Sequence, residues 1–187
     1  MHFNNVLIAL GSVACIAGMP QGVNVRSSID VIAPRTLAPS FTKKTDQGFL
    51  LEENQWVLSN VVKRGDVVSV VDVTGCDAVF LWDENSIPSA FHIFCGDEAA
   101  DGAAAVKMVE DEPAKVYIGA GTQAHYNALK AAIKASFPSL GDDKFVREIY
   151  SLNQLPSGKA YKFETVAGTT GVTMTTQTRV SKQPNRF

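Results

Sequence analysis

The chain has 187 residues, with 17 Lys and Arg against 19 Asp and Glu, a net charge of −2, and 45% hydrophobic residues. That length suits one domain that buries its own core without disulfides or metals. Such a balance supplies no basic stripe to neutralise phosphates, which argues against a nucleic-acid-binding protein.

Val6 to Met19 (VLIALGSVACIAGM) is an unbroken run of apolar and small residues. It falls short of the roughly 20 apolar residues that span a bilayer. It matches the core of a secretory signal peptide, with Ala14 or Ala17 at the cleavage point. The leading MHFNN carries no Lys or Arg, and a buried strand or helix is the competing reading. Val13-Ala14-Cys15 also allows a lipid-attachment site, which fits less well without a basic start. Residues 1–19 are therefore expected to be a signal peptide and the protein to be secreted. Residues 20–48, polar and broken by prolines, are expected to form a leader or loosely docked arm, with a short strand at Ile29–Ile32. Residues 49–187 then form the single catalytic-type domain.

Within that domain Gln55–Val62 is ambiguous between helix and strand. Arg64-Gly65-Asp66 is a turn by composition, and as an RGD tripeptide it is too short to carry a functional argument. Val67–Val73 (VVSVVDV) is β-branched and predicts a strand buried on both faces. Asp77–Trp82 and Ala90–Cys95 predict two more strands, joined by a hairpin loop over Asp83–Ser89. Asp97–Val109, Ala-rich with acids at its start, predicts a helix. Lys115–Ile118 predicts a strand. Thr122 can cap a second helix, in which Tyr126, Leu129, Ile133 and Phe137 share one face and which Pro138 stops. Phe145–Tyr150, Ala160–Val166 and Val172–Thr178 complete the strands, and the last two alternate polar with apolar, as in a sheet solvated on one side. The expected fold is layered α+β: a mixed, mostly antiparallel sheet or β-sandwich with two packed helices.

Two groups suggest chemistry. His92 lies inside an apolar strand, so Phe91 and Ile93 share one face while His92 and Phe94 share the other. A histidine satisfied by a backbone carbonyl at the edge of the core explains this equally well. Cys76 ends one strand after a Thr74-Gly75 turn, and the next strand starts at once. Gly75 permits a sharp bend, and unpaired amides at such a turn suit an oxyanion hole. If the two strands form a hairpin, His92 lies on the strand beside Cys76, where an imidazole can take the thiol proton. His125, in the first turn of the second helix and off its apolar face, is expected to be a solvated surface residue without a role.

The stretch Val73-Thr74-Gly75-Cys76-Asp77-Ala78-Val79-Phe80-Leu81-Trp82-Asp83, followed by Ser89-Ala90-Phe91-His92-Ile93-Phe94, resembles the core of the chemotaxis-receptor glutamine deamidases. It is similar in equal measure to the catalytic core of the cytotoxic necrotizing factors and the Burkholderia lethal factor, whose Leu-Ser-Gly-Cys signature corresponds to Val73-Thr74-Gly75-Cys76 here. The order of elements agrees from about Val67 to Thr178. The resemblance implies deamidation of glutamine side chains in a partner protein, such as a host protein, by an effector- or toxin-like virulence enzyme. Cys76 would be the nucleophile, His92 the proton carrier, and Thr74 and Gly75 the oxyanion turn, with no cofactor. These families orient the histidine with a third element from the strand before the cysteine. The matching position is near Val70, whose backbone carbonyl could serve, with Ser69 and Asp72 close by.

Other readings stay open. After removal of Cys15, Cys76 and Cys95 form an even pair, and an exported protein with such a pair can be a binding module held by a Cys76–Cys95 disulfide. Strand alternation places Cys95 opposite His92. A transglutaminase-like acyl transferase would use the same thioester. Zinc at Cys76, His92 and Cys95 lacks a fourth ligand, so no metal is expected.

Overall fold

The computed structural model describes residues 43–179, all within one unit, Ala33–Phe187. The expected signal peptide, the strand at Ile29–Ile32 and most of the expected arm lie outside the described residues. In chain order the elements are β1 (Lys43–Thr45), β2 (Gly48–Leu51), β3 (Trp56–Val57), β4 (Val67–Val73), β5 (Asp77–Trp82), β6 (Pro88–Ile93), α1 (Glu98–Lys107), β7 (Lys115–Ala120), α2 (Gln123–Ser136), β8 (Phe145–Ile149), β9 (Lys159–Val166) and β10 (Thr173–Thr178).

Two five-stranded sheets form, one in the order β1-β2-β4-β9-β10 and the other β3-β6-β5-β7-β8. Each mixes directions: β2 runs parallel to β4 and β7 parallel to β8, and the remaining pairs are antiparallel. The β-branched run of β4 lies between β2 and β9, where pleated neighbours on both sides reward branched side chains. In the other sheet β5 is central, and all six of its residues are buried.

Alternation along β5 and β6 divides their side chains between two cores. Ala78, Phe80, Trp82 and Ala90 meet Leu51, Val68, Val70 and Phe163 between the sheets. Val79, Leu81, Phe91 and Ile93 face the helices and pack on Val106, Leu129 and Ile133. The result is a β-sandwich with α1 and α2 layered on one outer face, an α+β fold as the element pattern predicts. The sheets approach closely where Gly119 crosses Phe163: a Cβ on Gly119 would lie 2.6 Å from the Phe163 ring.

Local chemistry follows the sequence signals closely. The Thr122 side chain accepts from the His125 amide at 3.1 Å and caps α2. In the β5–β6 hairpin the Asp83 carboxylate accepts from the amides of Asn85 (2.9 Å) and Ile87 (2.8 Å), while Ser86 takes a positive φ of 63°. Two boundaries move. Residues 43–48, read as part of a loose arm, form β1 and the start of β2. The ambiguous Gln55–Val62 becomes short β3 and a 3-10 turn over Ser59–Val61. Among the described residues, no helix is long and apolar enough to cross a membrane.

Candidate active site

The β4–β5 corner is built by two backbone irregularities. The β4–β9 ladder shifts register between Val70 and Val73, where Asp72 has a φ of 56°. Gly75 then adopts a φ of 136°, a region that glycine enters without steric cost. Cys76 follows, 7% exposed, and β5 begins at the next residue.

The β5–β6 register pairs Ala78 with His92 and Asp77 with Ile93. Directly paired residues share a face, and so do residues two apart on a strand. His92 therefore points into the sandwich on the same side as Ala78. Of the two groups singled out by sequence, Cys76 stands one residue before β5 and His92 lies on β6, the strand paired with β5.

His92 is fully buried. The chain passes from the first sheet to the second between Leu51 and Trp56, and this crossing wraps the histidine. The Asn54 amide donates to the His92 carbonyl (3.1 Å), and the His92 amide donates to the Gln55 carbonyl (2.9 Å). On the ring, Nδ1 lies 3.3 Å from the Leu51 carbonyl. A carbonyl only accepts, so Nδ1 carries the proton and the neutral ring has its lone pair on Nε2. The sequence placed the third element near Val70. The carbonyl that meets His92 Nδ1 belongs to Leu51, the register partner of Val70 on the adjacent parallel strand. The physical reason is the crossing, which starts at Leu51 and carries that carbonyl to the sheet–sheet gap.

Cys76 is held from several sides. The Tyr150 hydroxyl donates to its carbonyl. A Cβ on Gly121 would lie 3.4 Å from the Gly75 carbonyl, so the β7–α2 turn presses against the same corner. Burial pushes the Cys76 thiol up to about 12, the nearby Glu53 carboxylate adds to this, and a hydrogen bond from the Cys95 amide opposes both. The resting thiol is therefore protonated at neutral pH.

Cys95 corrects two expectations. Strand alternation set it away from the site, but β6 ends at Ile93 and Gly96 turns with a φ of 101°, so alternation stops. Its amide instead reaches the Cys76 sulfur. Both cysteines are free thiols, so the Cys76–Cys95 disulfide is not formed in this structure.

Asp77 faces the helices and is fully buried. Its Oδ1 accepts from the Gly121 amide (3.1 Å) and lies 3.4 Å from His125 Nδ1, which is also 3.1 Å from Glu98 Oε1. Burial pushes the Asp77 carboxyl up to about 7, against the Gly121 hydrogen bond and the His125 charge. His125 is thus no solvated bystander: its side chain is only 25% exposed. Helical periodicity sets His125 off the apolar face of α2 but does not reveal that a buried carboxylate lies beneath it.

A separate groove of about 610 Å³ opens at the far end of β5, lined by Leu58, Trp82, Asp83, Glu110, Glu112 and Pro113 among others. It does not include Cys76 or His92.

Fold and site together define an α+β sandwich domain with a buried histidine on β6 and a buried cysteine in the turn that leads into the adjacent β5. The sequence matches no protein-family model and no curated protein. Among solved structures it is similar to the C-terminal domain of CNFy from Yersinia pseudotuberculosis, with a TM-score of 0.39 and 10% identity over 63% of this chain. The match spans 50% of that domain. At this level of likeness, the functional reading rests on the site itself.

Proposed function

We propose that this chain is an exported protein-glutamine deamidase, toxin- or effector-like, with Cys76 as nucleophile and His92 as general base and acid. The observation that supports the reading is the Ala78–His92 register, which sets His92 on the strand beside the one that Cys76 leads into, with the Leu51 carbonyl fixing the His92 tautomer. The likeness of the Cys76 and His92 segments to the glutamine deamidases supplies the reaction class.

The chemistry follows from those positions. His92 takes the thiol proton on Nε2 as the Cys76 sulfur attacks the carboxamide carbon of a glutamine side chain. In this reading the amides of the Gly75 turn, helped by the Cys95 amide that hydrogen-bonds the sulfur, donate to the developing oxyanion. The C–N bond breaks, His92 returns the proton to the departing nitrogen, and ammonia leaves a thioester. Water, deprotonated by His92, then hydrolyses the thioester to glutamate and regenerates the thiol. No redox partner or cofactor is needed for this balance.

The test is ammonia release together with peptide mass spectrometry on glutamine-bearing proteins. The expected result is glutamine converted to glutamate by the native protein and lost in Cys76→Ala. Amine incorporation in place of hydrolysis would make the enzyme an acyl transferase. Undiminished conversion by Cys76→Ala would end the proposal.

A further inference from the structure

The geometry points to a second site, a binding site for one divalent transition-metal ion of the zinc type, formed by Asp77, Glu98 and His125. It lies on the helix-facing side of β5, whereas His92 belongs to the sandwich side, and it does not depend on the deamidase reading.

The three ligands come from three elements: β5, the first residue of α1 and the third residue of α2. Their donor atoms all lie within 4.8 Å of one another. His125 Nδ1 is 3.1 Å from Glu98 Oε1 and 3.4 Å from Asp77 Oδ1. Ligands about 2.1 Å from a common ion, at octahedral to tetrahedral angles, stand roughly 3.0–3.4 Å apart. Both separations from His125 fall in that range, and the two carboxylates lie within 4.8 Å of each other, close enough for one ion to draw them together.

A second observation concerns Asp77 alone. Its side chain is fully buried, and its Oδ2 has no hydrogen-bond partner. A buried carboxylate oxygen left so is costly, and coordination to a cation relieves it. Backbone amides already orient the carboxylates: Gly121 donates to Asp77 Oδ1 (3.1 Å) and Gly96 to Glu98 Oε1 (2.8 Å). Such outer hydrogen bonds are what a metal site needs to hold its ligands in place.

One imidazole and two carboxylates favour zinc and its first-row neighbours over calcium, which takes oxygen ligands alone. Asp77 and Glu98 are buried, but the His125 side chain is partly exposed, so ion entry and an open coordination position lie on the His125 side. The bound ion ties the starts of both helices to β5, one residue beyond Cys76.

The experiment titrates the EDTA-treated full chain with ZnCl2 by calorimetry and with CoCl2 by visible absorbance. The expected result is one saturable equivalent, a rise in Tm on adding zinc, and cobalt d–d bands without the near-ultraviolet thiolate charge-transfer band. His125→Ala, at a partly exposed position that tolerates truncation, weakens zinc binding at least tenfold and abolishes the rise in Tm. Asp77→Asn does the same if it folds. Cys76→Ala binds like the native protein. Absence of saturable binding, unchanged affinity in His125→Ala, or a thiolate-to-cobalt band lost in Cys76→Ala would each overturn the assignment. None of these outcomes bears on glutamine turnover, so the two proposals stand or fall separately.

Discussion

The hydroxyl of Tyr150, just beyond β8, donates to the carbonyl of Cys76 and so fastens the backbone at Cys76 to the edge strand of the same sheet. Tyr150 itself is buried in the core between the sheets, against Tyr161 and Phe163. Tyr150→Phe keeps that ring and removes only the bond. Leaving the carbonyl without this donor costs about 1–2 kcal/mol, read as a lower urea midpoint. Deamidation is expected to lose kcat rather than raise KM, because the hydroxyl positions Cys76 without touching substrate. A Tyr150→Phe protein with native stability and native kcat would show that the bond is not used.

Gly75 isolates the effect of backbone strain. A Cβ there meets only the Cys95 sulfur, at an ordinary 3.9 Å, yet the φ of 136° is one that L side chains rarely adopt. Gly75→Ala is expected to cost on the order of 1–3 kcal/mol through strain, or to relax the turn and displace Cys76. Either way deamidation falls, and urea unfolding read beside activity distinguishes the two. Full activity with unchanged stability would contradict the role given to this turn.

The pH dependence of Cys76 follows from its surroundings. Burial and the Glu53 carboxylate hold the thiol up to about 12. Only the thiolate reacts with iodoacetamide, so alkylation of Cys76 in the free protein should rise about tenfold per unit between roughly pH 7 and 10, without a plateau. Removing the neighbouring negative charge lowers the thiol's pKa, so Glu53→Gln should react faster at every pH in that window. Peptide mapping separates Cys76 from Cys95. A plateau near neutral pH would mean that the resting thiol is already ionised.

Sheet–sheet packing is most sensitive at Gly119. An added Cβ would come within 2.6 Å of the Phe163 ring, which is fully buried. Gly119→Ala is expected to destabilise by about 1–3 kcal/mol. Pairing it with Phe163→Leu should recover part of that loss, and a double-mutant cycle in urea measures the coupling. Simple additivity would show that the two positions do not share the strain.

What the sequence reveals of this protein depends on the range of the interaction. The strands β4 and β5 are legible because branched and apolar residues repeat over many positions, and α2 because a Thr cap and an apolar stripe coincide. The start of β6 is less so. Pro88 looks like loop, yet it pairs with Trp82 at the end of the ladder, where a strand tolerates proline. The facing of His92 follows from alternation, but its Leu51 partner is a backbone carbonyl from a distant strand, which has no side-chain signature. Cys95 escapes alternation because the strand stops two residues before it. His125 and Asp77 are 48 residues apart, and only the packing of α2 on the sheet brings them together.

The central claim is that Cys76 and His92 act on one glutamine carboxamide, and trapping the acyl-enzyme tests it most directly. A glutamine-bearing protein is mixed with stoichiometric enzyme, acid-quenched, and searched by mass spectrometry for a thioester at Cys76. The account predicts a transient thioester in the native protein, its formation slowed about 10²–10⁴-fold in His92→Ala, and none in Cys76→Ala. Glutamate formed without any adduct at Cys76, or at an undiminished rate in His92→Ala, would contradict it.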